Sequence, residues 1–125
     1  MSLTLHSVVN GTTPQAEFVW IRVDVDVNTR GYALVDRTLT ADGQVSNEFR
    51  HIFVFPNLAV RRGDWIRLFT GTGNFSRNEA DGSPGNFIYN LYWGANACVY
   101  NNRGGDIVTL LRYTTINQVT VPSVQ

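Results

Sequence analysis

Apolar and polar residues alternate with a period of two over most of this chain, the spacing of strands half-buried against a core. The clearest run is Glu17 to Val27, where Val19, Ile21, Val23, Val25 and Val27 share one parity and Trp20, Arg22, Asp24 and Asp26 the other. The valine face is expected to point inward, leaving the indole and the charges outside. Similar patterns predict strands at Leu3–Val9, at Tyr32–Arg37 and at Glu48–Phe55, the last with Phe49, His51, Phe53 and Phe55 on one face. In Leu58–Thr70, Ile66 and Leu68 alternate with Trp65, Arg67 and Phe69, and in Phe87–Trp93 the odd-numbered residues Phe87, Tyr89, Leu91 and Trp93 alternate with Ile88, Asn90 and Tyr92. Ile107–Tyr113 is apolar at both parities and reads as a central strand. Ile116–Val121 alternates again and is expected to finish the chain as a strand.

No segment places apolar residues at i, i+3, i+4 and i+7 for more than a turn, so helix is not expected. Turn residues separate the runs at Asn10-Gly11, Asn28–Gly31, Asp42-Gly43, Pro56-Asn57 and Gly63-Asp64. The strongest cluster is Asn101-Asn102-Arg103-Gly104-Gly105, where positive φ is cheap. Eight or nine short strands with this punctuation predict an all-β sandwich. Gly71–Asn86 is the one long polar stretch; at about 16 residues it exceeds an ordinary connection and is expected to be functional or mobile.

Composition narrows the class. A chain of 125 residues makes one domain, able to bury about two thirds of its extended surface without metal or disulfide. Ten basic and ten acidic residues give zero formal charge, which removes the usual electrostatic case for nonspecific binding to nucleic acid or an anionic membrane. Every basic residue is arginine, so positive charge arrives as a planar fork that pairs with carboxylates or lies on aromatic rings. Cys98 is the single cysteine and sits among small and apolar neighbours, as a buried inert thiol would. No apolar run approaches the roughly 20 residues of a membrane span, so the chain is expected to be soluble; its compartment is not indicated.

The order of several landmarks resembles the lamin tail domain. They are Glu17-Phe18-Val19-Trp20-Ile21, Gly31-Tyr32-Ala33-Leu34-Val35-Asp36, Phe53-Val54-Phe55-Pro56, then Leu58 with Gly63, Ile66 and Leu68, then Trp93, and last Asn101-Asn102 with Gly105-Asp106-x-Val108-x-Leu110. Together they cover residues 17–111. The resemblance implies an immunoglobulin-like β-sandwich of the prokaryotic type that acts as a recruitment module. Such domains contact protein, chromatin or envelope in lamins, and accompany nucleases or surface proteins in prokaryotes. No catalytic residue set and no cofactor come with it.

The sharpest chemical feature is a repeated tripeptide, Trp20-Ile21-Arg22 and Trp65-Ile66-Arg67. With isoleucine facing the core, Trp20, Arg22, Trp65 and Arg67 reach the outer face, and Phe18 and Phe69 extend the two rows. Such a surface suits a protein carboxylate, a glycan or a stacked base. The plainer reading is that the indoles cover the sandwich and the arginines pair with Asp24, Asp26 or Asp64. Asp24 and Asp26 could seed a calcium site with Asn74, Asn78, Glu79 and Asp81, although a solvated acidic face explains them as well. Arg62-Gly63-Asp64 matches an integrin-binding tripeptide in letters, but the glycine is already required by the turn. His6 and His51 are the only histidines, and no nucleophile elbow or metalloprotease motif occurs. The expectation is a non-enzymatic module that binds a protein through the Trp/Arg face and residues 71–86. Self-association through an edge strand, and glycan, calcium or nucleic-acid binding, are the alternatives.

Overall fold

A computed structural model describes residues 1–46, 48–100 and 105–124. Its strands are β1 (Leu3–Val9), β2 (Phe18–Val23), β3 (Val27–Asn28), β4 (Tyr32–Arg37), β5 (Ile52–Val54), β6 (Ala59–Val60), β7 (Trp65–Phe69), β8 (Ser76–Glu79), β9 (Phe87–Tyr92) and β10 (Ile107–Arg112). They build a five-stranded sheet in the order β1-β2-β7-β9-β8, a three-stranded sheet in the order β10-β4-β5, and a small β3-β6 ladder. Only the β7–β9 pair is parallel among these ladders. The fold is an all-β sandwich. Among the described residues no helix is long and apolar enough to cross a membrane.

Alternation explains the packing. Val19, Ile21 and Val23 of β2, Ile66 and Leu68 of β7, and Tyr89 and Leu91 of β9 form the inner face of the larger sheet. They meet Tyr32 and Leu34 of β4, with Phe53, Val108 and Leu110 packed at the margin of the same cluster. Ile21, Leu34 and Ile66 have no exposed surface, so truncating any of them to alanine removes about 2–5 kcal/mol.

The structure departs from the sequence expectations in five places. The run from Glu17 to Val27 is not one strand: β2 stops at Val23, and Val25 is 53% exposed. Its partners run out there, because β1 starts at Leu3 and the turn before β7 closes on Val23 through Val23 N–H to Asp64 O and Gly63 N–H to Val23 O, each 3.0 Å. Glu48–Phe55 shrinks to β5, and exposed Phe49 leaves the Phe53 and Phe55 face to lie beside the Arg37 guanidinium, 5.5 Å away. Gly71–Asn86 is no plain loop, since it contains β8, the margin strand of the larger sheet. Ile107–Tyr113 is not central: β10 is a margin strand with β4 in the middle. Its double-sided apolarity arises because Val108 and Leu110 turn to the core while Leu111 lines a hollow on the outside of the small sheet. Finally, Ile116–Val121 pairs with nothing regular, and Ile116, Val119 and Val121 are 97%, 85% and 84% exposed. The expected turn at Asn101–Gly104 lies outside the described residues, but Gly105 beside it does take φ +97°.

Candidate functional site

The antiparallel register of β2 and β7 sets Trp20 opposite Arg67, Arg22 opposite Trp65 and Phe18 opposite Phe69. The repeated tripeptide therefore becomes a checkerboard on the outer face of the larger sheet, in which like residues meet along diagonals. Trp20 and Trp65 touch in this way, with ring centroids 5.8 Å apart at 84°. Both are partly exposed. Phe69 stacks on Tyr92 of β9 at 5.1 Å and 11°. Gly73 makes room for that tyrosine, since a Cβ there would fall 2.3 Å from the ring.

The two arginines differ in what they offer. Arg67 is held within the face: its Nε donates to Asn90 Oδ1 at 3.0 Å, and its guanidinium carbon lies 5.7, 5.1 and 4.9 Å from the ring centroids of Phe18, Trp20 and Phe69. Arg22 is exposed, and its Nε donates to Asp24 Oδ1 at 2.7 Å. Asp24 also accepts from the Thr4 hydroxyl. That hydrogen bond first, and Arg22 second, hold the Asp24 carboxyl below its ordinary pKa. Part of the plainer sequence reading thus holds, because one guanidinium packs on aromatic rings and the other on an aspartate.

Beside the two indoles lies a cleft of about 310 Å³ lined by His6, Trp20, Trp65, Ala80, Asp81 and Ile88. His6 stands edge-to-face against Trp65, centroids 5.1 Å apart at 85°. It comes from β1 at the point where the β1–β2 register shifts between Leu5 and Ser7. Sequence reasoning did not connect His6 or Asp81 to the tryptophans. A bulge breaks simple parity for the first, and Asp81 reaches the cleft only because β8 folds back along β9.

The remaining candidates fall away from this site. Asp64 of the Arg-Gly-Asp tripeptide is 1% exposed, and its carboxylate is fully used: Oδ2 accepts Arg61 N–H at 2.8 Å, and Oδ1 accepts Asn86 Nδ2 at 2.8 Å and Phe87 N–H at 3.0 Å. It has no face to offer a partner. Asp26 accepts Arg62 N–H at 2.8 Å, and among the described residues no three of His, Cys, Asp and Glu gather as metal ligands, so no three of the carboxylates Asp24, Asp26, Glu79 and Asp81 form a shared site. His51 Nδ1 lies 2.9 Å from Oδ2 of Asp36, which is wholly buried at the end of β4. Glu17 is also wholly buried. Its Oε1 accepts from Thr70 Oγ1 at 2.7 Å, Val99 N–H at 2.8 Å and Tyr100 N–H at 3.3 Å, tying the segment after β9 to the starts and ends of β2 and β7. Cys98 is only partly buried, not buried as expected, with its Sγ 3.4 Å from Gly11 O; desolvation first, and the Glu17 carboxyl second, raise its thiol above the usual pKa.

No family model, no curated protein and no solved structure matches the chain.

Proposed function

We propose that this chain is a non-catalytic recruitment module of the lamin-tail type, which binds a protein partner through the outer face of its larger sheet. One observation carries the reading: two partly exposed indoles from separate strands adjoin a cleft to which residues 80 and 81 of the polar 71–86 segment also contribute. Partly exposed aromatics around a hollow, rimmed by polar groups, are the usual anchors of a protein interface. Trp20, Trp65 and exposed Arg22 then make the contact, while Arg67 and Phe69 hold the face in shape.

Replacing Trp20 and Trp65 together by serine tests this. The double variant should keep the far-ultraviolet spectrum and cooperative unfolding of the parent while losing capture of its protein partner. Undiminished capture by the folded double variant would remove the reading. A tryptophan-dependent signal on a glycan array would move it to carbohydrate adhesion, and a salt-sensitive gel shift to nucleic-acid recruitment.

A second reading has its own support. The outer face of the small sheet holds an apolar hollow lined by Val35, Phe49, Ile52, Val54, Leu111 and Tyr113, and Tyr113 leads directly into the exposed aliphatic segment 114–124. We propose that this face and this segment meet those of a second copy of the chain. The pairing is reciprocal, as a two-fold interface requires.

A further inference from the structure

Several arginine side chains in this fold settle on aromatic rings. Arg67 lies over Phe18, Trp20 and Phe69, Arg77 lies 4.2 Å from the Phe87 centroid, and Arg112 lies 5.6 Å from that of Tyr32. Trp65 is different. Among the described residues no cation lies over its ring, although Arg22 stands directly across from it in the ladder. Asp24 draws that arginine away along its own strand.

Trp65 is also the ring around which the others are set. Trp20 meets it at 84° and His6 at 85°, so each of these two rings stands nearly at right angles to Trp65. The cleft at this corner has one formally charged lining residue at neutral pH, Asp81, which is exposed and has no ion-pair partner among the described residues. Ile88 and Ala80 complete an otherwise apolar wall.

Aromatic rings beside one carboxylate select a particular ligand. A bare ammonium ion keeps its water shell and gains little there. A neutral alkyl group fills the space but leaves the carboxylate and the Trp65 quadrupole unused. A cation sheathed in methyl groups satisfies both, because it is weakly hydrated, packs on indole and spreads its charge over the rings. An anion is opposed by Asp81 and by the negative faces of the rings.

We infer that the Trp20–Trp65–His6–Asp81 corner is a binding site for a methylated ammonium group. The inference rests on the recruitment reading and deepens it, naming the chemistry that anchors the partner. A trimethylated lysine side chain and a free choline share this chemistry, and the experiment separates them.

The test follows the indole N–H resonances of Trp20 and Trp65 in the ¹⁵N-labelled chain. It titrates choline chloride, its neutral carbon isostere 3,3-dimethylbutan-1-ol, and short peptides carrying lysine or trimethyllysine across the millimolar range. Choline is expected to shift both resonances saturably, with the isostere about tenfold weaker. Asp81→Asn, a change in an exposed turn, should weaken choline about two- to fivefold without altering the unfolding midpoint. Tighter binding of the trimethyllysine peptide than of choline assigns the source to a protein chain, and the reverse assigns it to a free ligand. Equal affinity for choline and its isostere, or no shift of either indole with choline, overturns the inference. Should protein capture still depend on Trp20 and Trp65 when choline fails to bind, the recruitment reading stands and the methylammonium assignment alone is lost.

Discussion

Asp64 and Trp65 are neighbours in the chain with opposite fates. The aspartate turns inward, and three N–H groups, two of them from the backbone, converge on its two oxygens. Gly63, at φ +92°, permits the turn that aims it there. Asp64→Ala would leave those donors unpaired in a site that water reaches poorly, so the loss should be about 3 kcal/mol. An unfolding free energy from urea titration that falls by less than about 1 kcal/mol would show that the donors find other partners. The tryptophan turns outward and carries no arginine over its ring, because Arg22 pairs with Asp24 instead. The sequence exposed the outward side of Trp65, since Ile66 and Leu68 had to be inside, but not the inward turn of Asp64. It could not reveal which aspartate would take Arg22, because Asp24, Asp26 and Asp64 all carry the right charge and only the register decides.

Several elements were legible from the sequence: β1 and β4 fall within their expected bounds, and Ile66 and Leu68 of β7 face the core as expected. Elements whose ends depend on neighbours were not. Val25 continues the valine pattern beyond Val23, yet no strand remains beside it to pair with. Ser76–Glu79 has no apolar member, so β8 is invisible to periodicity and exists because β9 offers it a ladder. The segment 114–124 fails in the opposite sense, having a strand pattern and no ladder. Its last regular bond is Tyr113 N–H to Gly31 O at 2.8 Å. If the segment covers the hollow of a second copy, light scattering should give a dimer mass that returns to the monomer when residues 114–125 are deleted. Deletion should change monomer stability by no more than about 0.5 kcal/mol, since these residues bury little within their own chain. A parent that stays monomeric at all accessible concentrations would sink the second reading.

At the scale of the whole molecule, one phenol senses both sheets. Tyr100 is 6% exposed, and its pKa is raised by burial first, then by the carboxyl groups of Glu17 beside the larger sheet, Asp36 on the smaller, and Asp106. Because the folded pKa lies above the unfolded one, the associated stability is fully present below the ordinary tyrosine value of about 10 and is lost as pH climbs above it. Unfolding midpoints should therefore fall on the alkaline side, and Tyr100→Phe should flatten that decline. An unchanged alkaline limb in the variant would assign it to other groups. The cleft likewise belongs to the whole assembly. Its wall takes His6 from β1, Trp20 from β2, Trp65 from β7 and Ile88 from β9, with Asp81 just past β8, so it traverses every strand of the larger sheet in turn. A guest seated there would act as a rivet through the full width of the sheet. Its grip would be felt most at β8, whose four residues are all exposed and which has least else to hold it in line.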